Sequence, residues 1–230
     1  MTAVHQLLPS FADRDAIGAH CLRVQRVLRA AGYESEIFAR EVHPEVRNRA
    51  HDARRFRPGP DDWALYHFSI GSPLADELVA SGVRLAIDYH NITPARFFVR
   101  WEPTVAGLLR EGRRQLAALA GPTRFALAVS RFNETELVEL GFAPTGVAPV
   151  LVDLAELDAA ADRASRRSRG RDGAEWLYVG RLAPNKCQHD VIAAFAAYRA
   201  AFDRAARLVL VGGRSAPQYH AALVRLCRRL

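Results

Sequence analysis

The chain is short of cysteine, methionine and lysine. It has no long apolar run and no leader-like N-terminus. Its three cysteines, Cys21, Cys187 and Cys227, cannot pair off completely and show no metal-ligand spacing. A disulfide scaffold is excluded on that count, and a reducing compartment is expected. No window approaches the ~18 uninterrupted apolar residues of a membrane span. The first ten residues, Met1 to Ser10, lack a basic stretch ahead of an apolar core, so no export signal is read and a cytoplasmic location is expected. Neither G-x-G-x-x-G nor a Walker loop is present, which disfavours dinucleotide enzymes and P-loop NTPases. Aromatics are not interleaved with arginines, so nucleic acid is not expected as a partner.

Lysine is nearly absent. Of 32 basic residues 31 are arginine, beside 40 alanines, as a GC-rich coding sequence produces. The net charge of +7 is therefore partly codon drift, although it still favours anionic partners, including peripheral contact with an anionic membrane face. The single lysine, Lys186, stands out against that drift, because a retained lysine suits a site needing a compact point charge.

What is present is a globular composition, 50% hydrophobic and 25% charged. Short apolar runs alternate with helix-period segments, the pattern of βαβ units on a parallel sheet. Strands are expected at 3–8 (ended by Pro9), 36–39, 63–68, 83–89, 125–129 and 147–152. Helices are expected at 17–31, 73–80, 104–119 and 134–140. In the first helix Leu22, Val24, Val27 and Leu28 mark the apolar face, and Gly32 caps its end. Residues 40–61 read as irregular. The run from Ala159 to Gly173 is charged and lacks large apolar residues, so it reads as a linker. The pattern then restarts, with strands at 176–179 and 208–211 and helices at 190–202 and 219–229. The expected organisation is a Rossmann-like domain over 1–157, a linker over 158–173 and a partial second domain over 174–230. Two strands are too few to bury two helices well.

In open parallel sheets ligands bind beyond the carboxyl ends of the strands, so the loops there are the places to search. The first loop leads through Asp15 to Gly18 at a helix N-terminus. The second carries His67 and Ser69. The third, Asp88-Tyr-His90-Asn91-Ile-Thr-Pro94, places a histidine at the end of a buried strand; cleft contact and satisfaction of its own turn both remain open. The fourth holds Ser130 and Asn133, where Asn133 also reads as a helix N-cap. The fifth is the most specific. Gly180 turns the chain, and Arg181 and Lys186 then put two cations into one loop, able to neutralise a diphosphate. Gly212 and Gly213 follow the next strand.

Gly180-Arg-Leu through Lys186, after a strand opening a second Rossmann-like unit, resembles the donor-phosphate loop of family 4 glycosyltransferases. Asp15-Ala-Ile-Gly18, His67-Phe-Ser-Ile-Gly-Ser-Pro73, Tyr89-His-Asn-Ile-Thr-Pro94 and Ser130-Arg-Phe-Asn133 resemble a polysaccharide-assembly branch of that family. The resemblance implies an α/β protein of GT-B type, with a complete N-terminal Rossmann-like domain and the first half of a second. It implies transfer, with retention, from a nucleoside-diphosphate sugar to a glycan or lipid-linked acceptor at the inner face of a membrane. His90, Arg181 and Lys186 would be catalytic. Gly18, Gly180, Gly212 and Gly213 would lie near the donor phosphates, and Asp15, His67, Ser69, Asn91, Ser130 and Asn133 near substrate. No cofactor and no metal are expected, since the two cations replace a divalent ion. The family's paired glutamates, eight positions apart in the later part of the second domain, do not occur in these 230 residues. The expectation is thus a fragment that does not turn over alone, with a non-catalytic nucleotide-sugar-binding remnant as the alternative.

Overall fold

The computed structural model describes residues 2–12, 15–155, 158 and 173–230. The chain divides into two compact units. One comprises Met1–Pro94 with Leu108–Val152, and the other Ala95–Gly107 with Asp153–Leu230. Of the linker expected over 158–173, residues 159–172 lie outside the described residues. Among the described residues no helix is long and apolar enough to cross a membrane.

In the first unit the chain runs β1 (Val4–Phe11), α1 (Ala16–Ala30), β2 (Ile37–Val42), β3 (His51–Asp52), β4 (Trp63–Phe68), α2 (Pro73–Ser81) and β5 (Arg84–Tyr89). It continues through α3 (Pro103–Leu119, of which the part from Leu108 on belongs to this unit), β6 (Thr123–Ala128), α4 (Arg131–Glu139) and β7 (Thr145–Val147). The seven strands form one sheet in the order β3-β2-β1-β4-β5-β6-β7, parallel at every pairing. This is a Rossmann-like α/β arrangement in which the strand order reverses between β1 and β4.

The helices divide between the two faces accordingly. Gln6, His67 and Asp88 lie on the α1 face: Gln6 donates to the carbonyl of Cys21, and Asp88 meets His20. Tyr89 alternates to the other face, where its hydroxyl meets Arg113 of α3 and Glu136 of α4. The core between α1 and the sheet is built from Leu8, Phe11, Cys21, Ile37, Ala39 and Val46.

Several expectations need correction. Strand β1 does not stop at Pro9. The amides of Val4 and Gln6 donate toward β2, to Glu34 and Glu36, so by alternation Pro9 faces the β4 side. There the β1–β4 pairing has already ended at Leu7–Tyr66, and no N–H is needed from Pro9. The buried face of α1 carries Gly18, His20, Cys21 and Gln25, whereas Val27 is 59% exposed. Polar side chains point inward because they have work inside the sheet. Residues 40–61 are not wholly irregular, since His51–Asp52 adds the edge strand β3. The sixth expected strand, 147–152, is displaced to Thr145–Val147. Gly32 does end α1, with φ of +88° and Tyr33 N–H donating to Leu28 O.

The second unit contains β8 (Glu175–Val179), α5 (Gln188–Ala201), β9 (Arg207–Val211) and α6 (Pro217–Cys227). The two strands pair in parallel, Leu177 opposite Val209 and Val179 opposite Val211. One face is covered. Trp176 packs on Phe195 and Tyr198, and Leu208 and Leu210 join a core of Ile192, Ala216, Tyr219 and Leu223. On the other face Leu177 and Val179 are 65% and 71% exposed; no described residue covers them. The shortage of strands read from the pattern is therefore visible as one bare apolar face.

In the first unit the turn before α2 approaches α3 so closely that two glycines, Gly71 and Gly112, touch. A Cβ on Gly71 would stand 2.5 Å from Leu108 O and 2.6 Å from Gly112 N. Gly71→Ala is expected to cost about 1–3 kcal/mol of unfolding free energy through overpacking of backbone that cannot yield. Gly107→Ala, earlier in the same helix and in open space, should instead gain up to ~1 kcal/mol of helix propensity. Urea denaturation of both variants checks the pair; an unmoved Gly71→Ala midpoint would contradict the close approach.

Candidate functional site

The reversal of strand order between β1 and β4 opens a crevice outside their carboxyl ends, the usual ligand position in such sheets. The sequence brings unusual chemistry to this place. His67 and Asp88 are register partners on β4 and β5, which puts both side chains on one face of the sheet. From α1, above that face, His20 reaches down to them. His90 follows β5 directly, its amide donating to Phe68 O and so extending the ladder by one step.

The four side chains form one buried cluster. Asp88 Oδ2 lies 2.9 Å from His20 Nε2, 3.2 Å from His67 Nδ1 and 3.2 Å from His90 Nε2. His67 Nδ1 and His90 Nε2 are 3.1 Å apart. None of the four side chains is more than 4% exposed. The other carboxylate oxygen, Asp88 Oδ1, is buried and has no hydrogen-bond partner among the described residues.

The surroundings decide where the ring protons sit. The backbone N–H of Leu151 donates to His20 Nδ1 at 3.0 Å, so the His20 proton is on Nε2 and is given to Asp88. Gln6 donates its amide N–H to Cys21 O at 3.0 Å, leaving its Oε1 to accept from His67 Nε2 at 2.9 Å. The lone pair of His67 Nδ1 then faces Asp88. Burial would by itself raise the Asp88 carboxyl, but its contacts with the His20, His67 and His90 rings outweigh it and hold the group well below the usual carboxylate range. Burial pushes His67 down, against the pull of Asp88.

A second constellation holds the loop after β5. Asn91 takes the left-handed conformation (φ +69°), which asparagine tolerates better than most residues. Arg113 from α3 donates to Asn91 Oδ1 at 3.4 Å and to Ile92 O, and pairs with Glu136. Tyr89 donates to Glu136 Oε2 at 2.6 Å. The loop that carries His90 is thus braced from two helices.

The other expected site residues of this unit turn out to shape helix starts. Asp15 is the N-cap of α1, accepting from Gly18 N at 2.9 Å. Gly18 is tight because a Cβ there would lie 3.2 Å from Ala12 O. Ser130, not Asn133, caps α4, and the amide that Ser130 Oγ accepts is that of Asn133. Ser69 is half-buried on the bend after β4. The spacing that resembles a ligand motif is here also the i, i+3 spacing of capping.

In the second unit the chain bends at Gly180, directly after β8. Its N–H donates to Val211 O as the strand ends, Leu182 N–H donates to Gly213 O, and Cys187, with φ of +51°, is a left-handed residue later in the loop. Gly212 is required by contact: a Cβ there would lie 1.9 Å from Gly180 O. Gln188 pins the loop by donating to Arg181 O at 2.9 Å. Arg181 and Lys186 are both exposed, and the ion pairs among the described residues involve neither of them.

His20, Gln6, Asp88 and Arg113 went unmarked in the sequence reading. One signal for Asp88 was available: a charge at the end of an otherwise apolar strand covered on both faces must be partnered. The chain matches no family model and no curated protein.

Replacing Gln6 with leucine removes the acceptor of His67 Nε2 and the donor to Cys21 O at little change in volume. Gln6→Leu should cost about 1–3 kcal/mol for each buried group left unpaired, read by urea denaturation; a loss below about 0.5 kcal/mol would contradict the assigned network. Burial also pushes the Cys21 thiol well above its ordinary value, while Cys227 is exposed. A thiol reagent at mildly alkaline pH should therefore label Cys227 in the folded protein and Cys21 only on unfolding, as peptide mapping would report.

Proposed function

We propose that this protein is a retaining glycosyltransferase of GT-B type that takes a sugar from a nucleoside-diphosphate donor to a glycan or lipid-linked acceptor. The observation that carries the reading is the loop after β8. It holds two exposed cations, Arg181 and Lys186, that no carboxylate of the described residues neutralises, on backbone anchored to the end of β9. Cations without a protein partner at the carboxyl end of a strand suit an anionic ligand.

In this reading the two cations stabilise the diphosphate as it leaves. The bond from the anomeric carbon to the diphosphate oxygen breaks, and a bond to the acceptor hydroxyl oxygen forms on the same face. The hydroxyl proton passes to the departing phosphate oxygen. Charge grows on the diphosphate during this step, so fixed cations assist the transition state more than the ground state. His90 assists by hydrogen bonding to the donor. Its Nε2 is committed to the buried cluster, so Nδ1 is the ring atom left for a ligand.

A second reading, diphosphate binding without transfer, is favoured by the bare face of the β8–β9 sheet. Both readings require the same loop. Calorimetric titration with UDP, GDP, ADP and dTDP should find one that binds at 1:1, and Arg181→Ala and Lys186→Ala should each weaken it about tenfold or more, the loss of a ~1.5–3 kcal/mol charge-assisted contact. Sugar transfer from the matching donor, with the anomeric configuration kept, separates transferase from binding module. Absence of nucleoside-diphosphate binding, or affinity unchanged in both variants, would remove the proposal.

A further inference from the structure

The His/Asp cluster of the first unit brings three imidazoles and a carboxylate together in a buried place. His20 gives one proton to Asp88 Oδ2. His67 has an oxygen acceptor on each side, Gln6 Oε1 at its Nε2 and Asp88 Oδ2 at its Nδ1. With Nε2 turned to Gln6 Oε1, the other ring nitrogen, Nδ1, stands 3.2 Å from Asp88 Oδ2. His90 Nε2, 3.1 Å from one and 3.2 Å from the other, can offer one shared proton.

The same three atoms have the dimensions of a metal site. Their separations are 3.1, 3.2 and 3.2 Å. Donors ~2.1 Å from a common ion and ~90–109° apart stand ~3.0–3.4 Å from one another. The triangle is therefore already that of one face of a coordination polyhedron, and the four donor residues lie within 4.8 Å of each other.

We propose that His67 Nδ1, His90 Nε2 and Asp88 Oδ2 bind one divalent first-row transition ion, with His20 and Gln6 orienting the ligands. Two imidazoles and a carboxylate form a donor set that zinc, iron, cobalt and nickel accept. His67 has the tautomer a ligand needs, its Nε2–H held by Gln6 and its Nδ1 lone pair turned inward. His20 is not a ligand. Leu151 N–H occupies its Nδ1, so its Nε2 keeps a proton and steers Asp88 instead. The unpartnered, buried Asp88 Oδ1 is a second oxygen for the same ion. His90 moves its ring proton to Nδ1 when the ion enters, and the facing lone pairs become ligands. This inference does not rest on the transferase reading, whose metal-free expectation concerns charge at the diphosphate.

The test uses the whole chain, stripped with a chelator and titrated with Co²⁺ under visible spectroscopy, then with Zn²⁺ in competition. One equivalent of Co²⁺ should produce d–d absorption, and Zn²⁺ should displace it. Asp88→Asn and His67→Gln should weaken binding at least 100-fold. His20→Gln should weaken it about 10–100-fold, as loss of an orienting partner does, and the exposed His51→Gln should leave it unchanged. Because a variant of the buried cluster can fail to fold, imidazole ¹⁵N spectra of the wild-type protein give an independent readout. Zn²⁺ should shift His67 Nδ1 and His90 Nε2. No stoichiometric cobalt band, shifts at His51 in place of the cluster, or a His67 ring doubly protonated and indifferent to Zn²⁺ would overturn the proposal.

Discussion

A carboxylate inside a parallel sheet must be compensated, and Asp88 is the point around which the first unit is arranged. Its one oxygen draws in an imidazole from α1, one from β4 and one from the turn after β5. Each imidazole is then oriented by something further out. Leu151 N–H orients His20 and Gln6 orients His67, while the ladder bond to Phe68 O sets the backbone that carries His90. Polar groups at this depth are stable only when each finds a partner. The chain therefore gives up apolar burial on the inner face of α1 and spends it on Gly18, His20 and Gln25.

On the other face of the sheet α2 and α3 are tied to each other. Gln115 of α3 accepts from Ser72 N–H, donates to Ser72 O and reaches Asp76, so the start of α2 is tied to α3 by one amide. Gly71 and Gly112 permit the contact. Arg113 carries the same helix to the loop after β5. The result is a rigid rim at the carboxyl ends of β4 and β5, where geometry can be held to the tolerance that binding needs. The second unit follows a simpler rule. Two strands and two helices bury one sheet face, and the loop with Arg181 and Lys186 is fixed by backbone bonds to residues 211–213 while its charges stay in solvent.

Much of the fold was legible from the residues. Trp63–Phe68 is the expected strand without change, and the helices beginning near Pro73 and Thr104 move by one residue. Apolar runs bounded by glycine and proline carry that information locally. Pro9 misled because its cost depends on which neighbour its missing N–H would face, a property of the pairing. Val27 misled because helical periodicity identifies an apolar face but not whether the protein uses it. In the candidate site His67 and His90 were marked from loop position, and Arg181 and Lys186 from spacing. Asp15, Gly18, Ser130 and Asn133 were marked too, and the structure gives them capping work.

Alternation of apolar runs with amphipathic segments, read from the residues alone, determined an α/β chain with a parallel sheet and a second, shorter unit, because those signals act over a few residues at a time. The joining of His20, His67, Asp88 and His90 was decided only in three dimensions. Asp88 and His20 are 68 positions apart in the chain, and their meeting follows from a strand order that reverses between β1 and β4. The short triangle of donor atoms comes from the β4–β5 register that sets His67 beside Asp88, and the orientation of the rings from Gln6 and Leu151, which no spacing along the chain encodes.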